Sequence, residues 1–304
     1  MNWFFIALAA PFLWALVNLT DKYLVTNYGG KEKSSGSLVL FSSLTGLIIA
    51  FLISLFTHGI LGIPISDKIL LLFIGVFSIC SFIFYLLALQ IEDVSSAVPW
   101  MLTIPVFGYI LSYFFLNETL KHSQLFGAII IFLGAILLSV DFSKIKIIFK
   151  KRIAFYMLFS SFIYAINGII FKFVAKTDSF WIASFWQYLG MGIGGIFIFM
   201  FLGKYRRDFI YNIKNNGKVI FLLYFIIEII TIVGNLLTNY AILLAPIALV
   251  YLVGSFQPVV VILLTFFATK FFPKIISEDF SAKNVIPKII AIIIMLIGGI
   301  FLFL

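Results

Sequence analysis

A chain of 304 residues that is 63% hydrophobic, 18% aromatic and only 11% charged departs from soluble domains, which carry about 25% charged residues. That balance excludes a water-soluble globular fold and defines an all-α integral membrane protein, counted in spanning helices of about 20 apolar residues. The net charge of +9 comes from bases flanking apolar runs, which points to anionic lipid headgroups and away from nucleic acid.

The first stretch, "MNWFFIALAAPFLWALVNLTDKYLV", lacks a basic leader region and is too long for the apolar core of a cleaved signal, so it reads as a first span. Ten apolar segments of spanning length follow one another: Trp3–Val25, Leu38–Phe56, Ile69–Leu89, Val94–Leu116 and Gln124–Val140, then Ile153–Phe173, Phe180–Leu202, Val219–Leu244, Pro246–Ala268 and Pro287–Leu304. Only "LAP" separates the eighth from the ninth, and Pro246 suits a first helical turn, where its missing N–H costs nothing. The connections are short. The longest, between the ninth and tenth spans, is polar and interfacial.

The chain repeats itself. "WALVNLTDKY" from Trp14 matches "YAINGIIFKF" from Tyr164, pairing Lys22 with Lys172. "ALQIEDVSSAVPWMLTIP" from Ala88 matches "AILLAPIALVYLVGSFQP" from Ala241 without a gap, pairing Pro105 with Pro258. Five spans are thus followed by five more, in units of 1–143 and 150–304. An odd number of crossings makes the second copy enter from the opposite face, which predicts ten helices in two inverted five-helix repeats. Secondary transporters of that plan hold substrate near the bilayer midplane between the halves. Pro105 and Pro258, deep in the fourth helix of each half, are expected to break their helices and free carbonyls for a cavity or gate.

Lys and Arg concentrate in the odd-numbered connections, with only Lys68, Lys121, Lys172 and Lys176 elsewhere. The positive-inside bias then places those connections in the cytoplasm and both termini outside.

An ionisable group inside a span is a functional candidate. Glu228 is the clearest. It is followed on one helical face by Thr231, Asn235 and Thr238, and the matching third helix carries Ser78, Ser81 and Tyr85. This stripe is either a cavity wall, with Glu228 binding a cation or carrying a proton, or a polar seam between helices. Trp14 with Asn18 and Tyr164 with Asn167 place an aromatic ring and an amide on the first helix of each half. Trp100, Tyr251 and Gln257 surround the proline breaks, and a buried amide such as Gln257 needs partners. Lys22 and Lys172 read as snorkelling to an interface, and Glu118 and Glu278 as caps or solvated loop charges. "GMGIGG" from Gly190 reads as close helix packing. Lone Cys80 reads as core packing, and His58 and His122 as solvated. Neither a metal site nor a cofactor is expected, and no phosphate-loop or hydrolase motif is present.

The segment "SSAVPWMLTIPVFGYILSYFFLNETLKHSQLFGAIIIFLGAILL" from Ser95 resembles the EamA repeat of the drug/metabolite transporter superfamily. So do "WALVNLTDK" and the polar residue before proline in Gln257-Pro258. Asn18 sits one position later than the family's usual Asn, whereas Asn167 sits at the usual place. The resemblance implies ten helices in two inverted halves, termini in the cytoplasm, and transport, often export, of a small metabolite. The expected protein is a multi-pass plasma-membrane secondary transporter, monomeric or homodimeric, working by alternating access on an amino-acid-like, aromatic or cationic compound. A membrane-embedded enzyme on lipid-linked substrates and a scaffold without flux are the competing readings.

Overall fold

The computed structural model describes residues 2–28, 35–119, 121–138, 140–141, 148–149, 151–273, 278 and 280–301. Within them the chain is helical apart from one antiparallel pair of two-residue strands, β1 (Val140–Asp141) and β2 (Ile148–Phe149). The helices before it are α1 (Asn2–Tyr28), α2 (Gly36–Phe56), α3 (Ile65–Ile91), α4 (Val94–Ala97), α5 (Ile104–Leu116) and α6 (His122–Leu138). Those after it are α7 (Lys151–Ala175), α8 (Phe180–Phe201), α9 (Gly203–Asn215), α10 (Gly217–Leu244), α11 (Ile247–Val253), α12 (Gln257–Phe271) and α13 (Ala282–Ile300).

Among the described residues nine helical segments are long and apolar enough to cross a membrane, so this is a multi-pass membrane protein. Apolar side chains such as Phe51, Phe56, Phe114 and Phe197 cover the outside. Helical hydrogen bonding satisfies the backbone internally, as a hydrocarbon surround requires. The expected segment Gln124–Val140 is α6, a helix of 17 residues. The expected end at Leu304 lies outside the described residues.

Both anticipated breaks are present. Residues 98–103 wind as a tighter three-residue-per-turn helix before Pro105 opens α5. Residues 254–256 do the same before Pro258 opens α12. Proline has no N–H for the preceding turn, so the regular bond pattern cannot run through it. Pro246 is the N-cap of α11, as its position implied. The last span begins earlier than expected, at Ala282, and carries Pro287 inside its first turns.

One helix was not legible as a span. α9 is polar on average, and a search for apolar runs passes over it. It packs on the start of α2. There Asp208 Oδ2 accepts the Ser37 N–H at 2.9 Å and Asn212 Nδ2 donates to Ser37 Oγ at 2.5 Å. These side chains satisfy part of a helix start that would otherwise be short of partners.

The large contacts join the first half of the chain to the second: α1 to α10, α2 to α8, α3 to α7 and α8, α5 to α7, and α6 to α13. The glycines of "GMGIGG" make the central crossings. Gly190 faces the backbone of Leu72 in α3, while Gly192 and Gly195 face Leu47 and Ser43 in α2. In lipid, where apolar surface gives helices little reason to associate, small residues allow the close backbone approach that does.

A side chain at this seam has nowhere to go. A Cβ at Gly190 would lie 2.7 Å from the Leu72 Cα. Gly190→Ala is expected to destabilise by ~1–3 kcal/mol, the usual cost of overpacking, read as a lowered thermal midpoint in detergent. Gly299→Ala, with no atom within 4 Å of its added carbon, leaves the midpoint unchanged.

Candidate functional site

The helices that alternate across the membrane leave a cavity of about 210 Å³ between the two halves. Its walls come from the C-terminal half of α1, the N-terminal half of α2, the C-terminal half of α3, and the middle of α7, α8 and α10. Successive spans run in opposite directions, so the first three of these segments share one end of the molecule. Of the ten side chains expected at a substrate site, all but Trp100 line this cavity. Trp100 lies in the tight turn before Pro105 and is buried in the apolar core with Val98 and Leu89. Its place is packing, because the turn rotates it away from the cavity that Met101 and Ile104 reach. Pro105 is buried at the start of α5 and does not line the cavity. Pro258 borders a smaller void of about 30 Å³ beneath it.

Three of the predicted residues form one network. Asn18 Nδ2 donates to the Tyr85 hydroxyl at 2.7 Å, and Gln257 Nε2 donates to Asn18 Oδ1 at 2.5 Å. The amide that seemed out of place in "LVGSFQPVVV" thus finds its partner on α1, and α1, α3 and α12 are tied at one point. On the other side, Asn167 Nδ2 donates to Ser78 Oγ at 3.1 Å. Ser81 and Ser160 each donate to the other's carbonyl at 2.9 Å, which brings α3 and α7 together.

Trp14 and Tyr164, which the sequence repeat aligns, also meet in space. The Trp14 and Tyr164 rings meet edge to face, with centroids 6.1 Å apart, and Tyr251 joins Tyr164 at 5.7 Å. Two glycines make room for them. The Tyr251 hydroxyl occupies the space a side chain at Gly168 would need, and the Trp14 indole does the same at Gly234.

Glu228 is 6% exposed and accepts a hydrogen bond from Ser42 Oγ on α2 at 3.1 Å. Thr231 and Asn235 continue its stripe along the cavity, whereas Thr238 turns to the smaller void. Asn239, bonded to Gln187 at 3.0 Å, lines the cavity instead.

Asp21 escaped the sequence reading, although "NLTDK" was in view. It is 1% exposed and lines the cavity. The signal available was its position one turn beyond Asn18, on the same helical face. Its place near a helix end hid it, because charges there are normally solvated.

Lys22 and Lys172 do not snorkel. Lys172 is buried, pairs with Glu118 at 2.6 Å and donates to the Ala245 carbonyl at the end of α10 at 2.6 Å. Glu118 also accepts the Ile247 N–H at 3.0 Å, capping α11 as expected of it. At the opposite end of the molecule Lys22 donates to the last carbonyls of α3, Leu89 at 2.8 Å and Glu92 at 2.7 Å. Glu278 caps the Ser95 N–H at the start of α4, with Lys288 at 3.9 Å. Each cluster ties helix ends from both halves together. Burial pushes the Glu278 carboxyl above its ordinary range, against the hydrogen bonds from Ser95. A carboxyl raised on folding stabilises the fold at acid pH, and that contribution is lost as pH rises through the shifted value. His58 and His122 are exposed, and Cys80 is half-buried rather than in the core.

A polar cavity walled by crossing helices inside a multi-pass membrane protein is the kind of site a solute transporter uses. Residues 1–140 match the model of the EamA-like transporter family. A solved structure titled only "Crystal structure of protein" is similar in fold over 99% of this chain and 96% of its own, with a TM-score of 0.62 at 14% identity. No curated protein sequence matches the chain.

The Lys172–Glu118 pair gives a direct test of this geometry. Removing one partner of a buried pair costs about 3–5 kcal/mol, because the other charge is left uncompensated. Glu118→Ala is expected to lower the thermal midpoint sharply. Adding Lys172→Met to it recovers part of the loss, since no buried ammonium then remains.

Proposed function

We propose that the chain is a secondary transporter that moves a small organic solute across the plasma membrane, as an exporter, by alternating access of two inverted five-helix halves, residues 1–143 and 150–304. The observation that carries this reading is the cavity between the halves, whose walls hold buried polar atoms without protein partners: Asp21 Oδ2, Ser161 Oγ, Asn167 Oδ1 and the Tyr188 hydroxyl. Buried polar groups are costly unless hydrogen-bonded, and a bound solute with its water would satisfy them.

The packing supports two gates in different states. Exchange of the halves maps α3 on α8 to α10 on α2. The first pair is in close contact, with Gly75 against the backbone of Gln187 and Met191. The second pair touches sparsely. The register that pairs Ala88 with Ala241 places Glu228 opposite Gly75, so the looser pair is bridged by the Glu228–Ser42 hydrogen bond where the tighter one has bare backbone. In this reading the glycine seam closes one end, the cavity faces the other, and Glu228 couples solute or proton occupancy to closure between α2 and α10. The clusters around Lys172 and Lys22 anchor the two ends.

Purified protein in vesicles loaded with candidate metabolites tests the proposal by flux. Glu228→Gln is expected to remain folded and lose ~tenfold or more of the rate, matching the roughly 1.5–3 kcal/mol of a hydrogen bond to a charged group. Unaltered rate and pH dependence in that variant would remove Glu228 from the mechanism. A wild-type protein that binds solute yet never moves it would leave the enzyme or scaffold readings standing.

A further inference from the structure

Resting on the cavity as the transport site, we propose that it selects an aryl-alkyl primary ammonium ion, with Asp21 as the residue that holds the ammonium group.

The argument starts from which atoms lack partners. Asp21 is buried, and the Tyr85 hydroxyl bonds its carboxyl, yet its Oδ2 is unpaired. Asn167 uses its amide nitrogen on Ser78, which leaves Oδ1 unpaired. Asn167 Oδ1 can only accept, and Asp21 Oδ2 accepts when its carboxyl is ionised, the form a bound cation favours. The hydroxyls of Ser161 and Tyr188, also buried and unpaired, can accept as well. A ligand that pairs with the carboxylate and the amide oxygen must therefore bring N–H or O–H donors, as an ammonium head does and a quaternary cation does not.

Charge points the same way. Asp21 and Glu228 are two buried acids of one cavity, and among the described residues no Lys, Arg or His lines it. Lys22, the next residue after Asp21, donates to Leu89 and Glu92 at the end of α3. Acids inside a membrane are stable when paired, and here the ligand is the cation. A carboxylate on the ligand would meet no positive side chain in this lining, which disfavours a zwitterionic amino acid. The body of the ligand is set by the Trp14, Tyr164 and Tyr251 rings of the same cavity, which suit an aromatic group.

The test is thermal stabilisation of the purified full chain, since a ligand that binds only the folded state raises the midpoint. Phenethylamine is expected to raise it in a saturable way. Phenylacetate and the trimethylated amine, which has the charge without donors, are expected to leave it unmoved, and phenylalanine to act more weakly. Asp21→Asn should weaken phenethylamine binding ~tenfold or more, the loss of a charge-assisted contact, while Asp21→Glu keeps most of it. Equal stabilisation by phenylacetate, phenylalanine or the trimethylated amine would overturn the proposal, as would undiminished binding by Asp21→Asn. Should that variant not fold, the ligand series on the unaltered chain and on Asp21→Glu decides. Flux is measured separately in vesicles. Failure of amine binding beside transport of another solute sinks this inference alone, and amine binding without any flux sinks the transport reading alone.

Discussion

Close backbone contact along α8 is the constraint on which the rest of the structure depends. Between apolar helices in lipid, burial gives no net drive, so van der Waals packing and polar contacts must hold the bundle. Gly190, Gly192 and Gly195 let α2 and α3 approach one helix of the other half at backbone distance. That approach sets where the remaining helices lie. α7 packs on α3 and α10 on α1, and the space left between them is the cavity.

Polar groups then decide how the bundle is ordered. Asn18 binds Tyr85 and Gln257 together, which fixes α1 against a helix of its own half and one of the other. Half-buried Lys22 and buried Lys172 extend this logic to the helix ends. Each closes on carbonyls that end a helix, where unsatisfied acceptors and the negative end of the helix dipole favour a cation. Glu118 and Glu278 do the converse at helix starts. The four charges therefore serve helix termini, while of the two acids inside the cavity Asp21 keeps a buried carboxyl oxygen without a protein partner and Glu228 is held by Ser42.

The contrast between the two pairs of acids was only partly legible. Glu228 stood out because it lies in the interior of a long apolar run. Asp21 lies near the end of its helix, and from sequence a charge there looks like any interfacial one. Trp100 shows the opposite error. Its proximity to a proline break drew it toward the site, and the tight turn that the break imposes rotated it into the core. α9 was invisible to a search for apolar runs, because its helical face is recognised by Ser37 of α2 rather than by lipid.

Composition and periodicity alone pointed to a helical, multi-pass membrane chain, to the positions of most spans and to the two proline breaks. These are local properties, set by the length of hydrocarbon to be crossed and by the missing N–H of proline. The tertiary structure decided which polar side chains face one another. It showed that Gln257 answers Asn18, that Lys172 answers Glu118, and that Asp21 shares a cavity with Glu228. Such pairings join residues far apart in the chain, and only the crossing angles and close approaches of packed helices bring them within hydrogen-bonding reach.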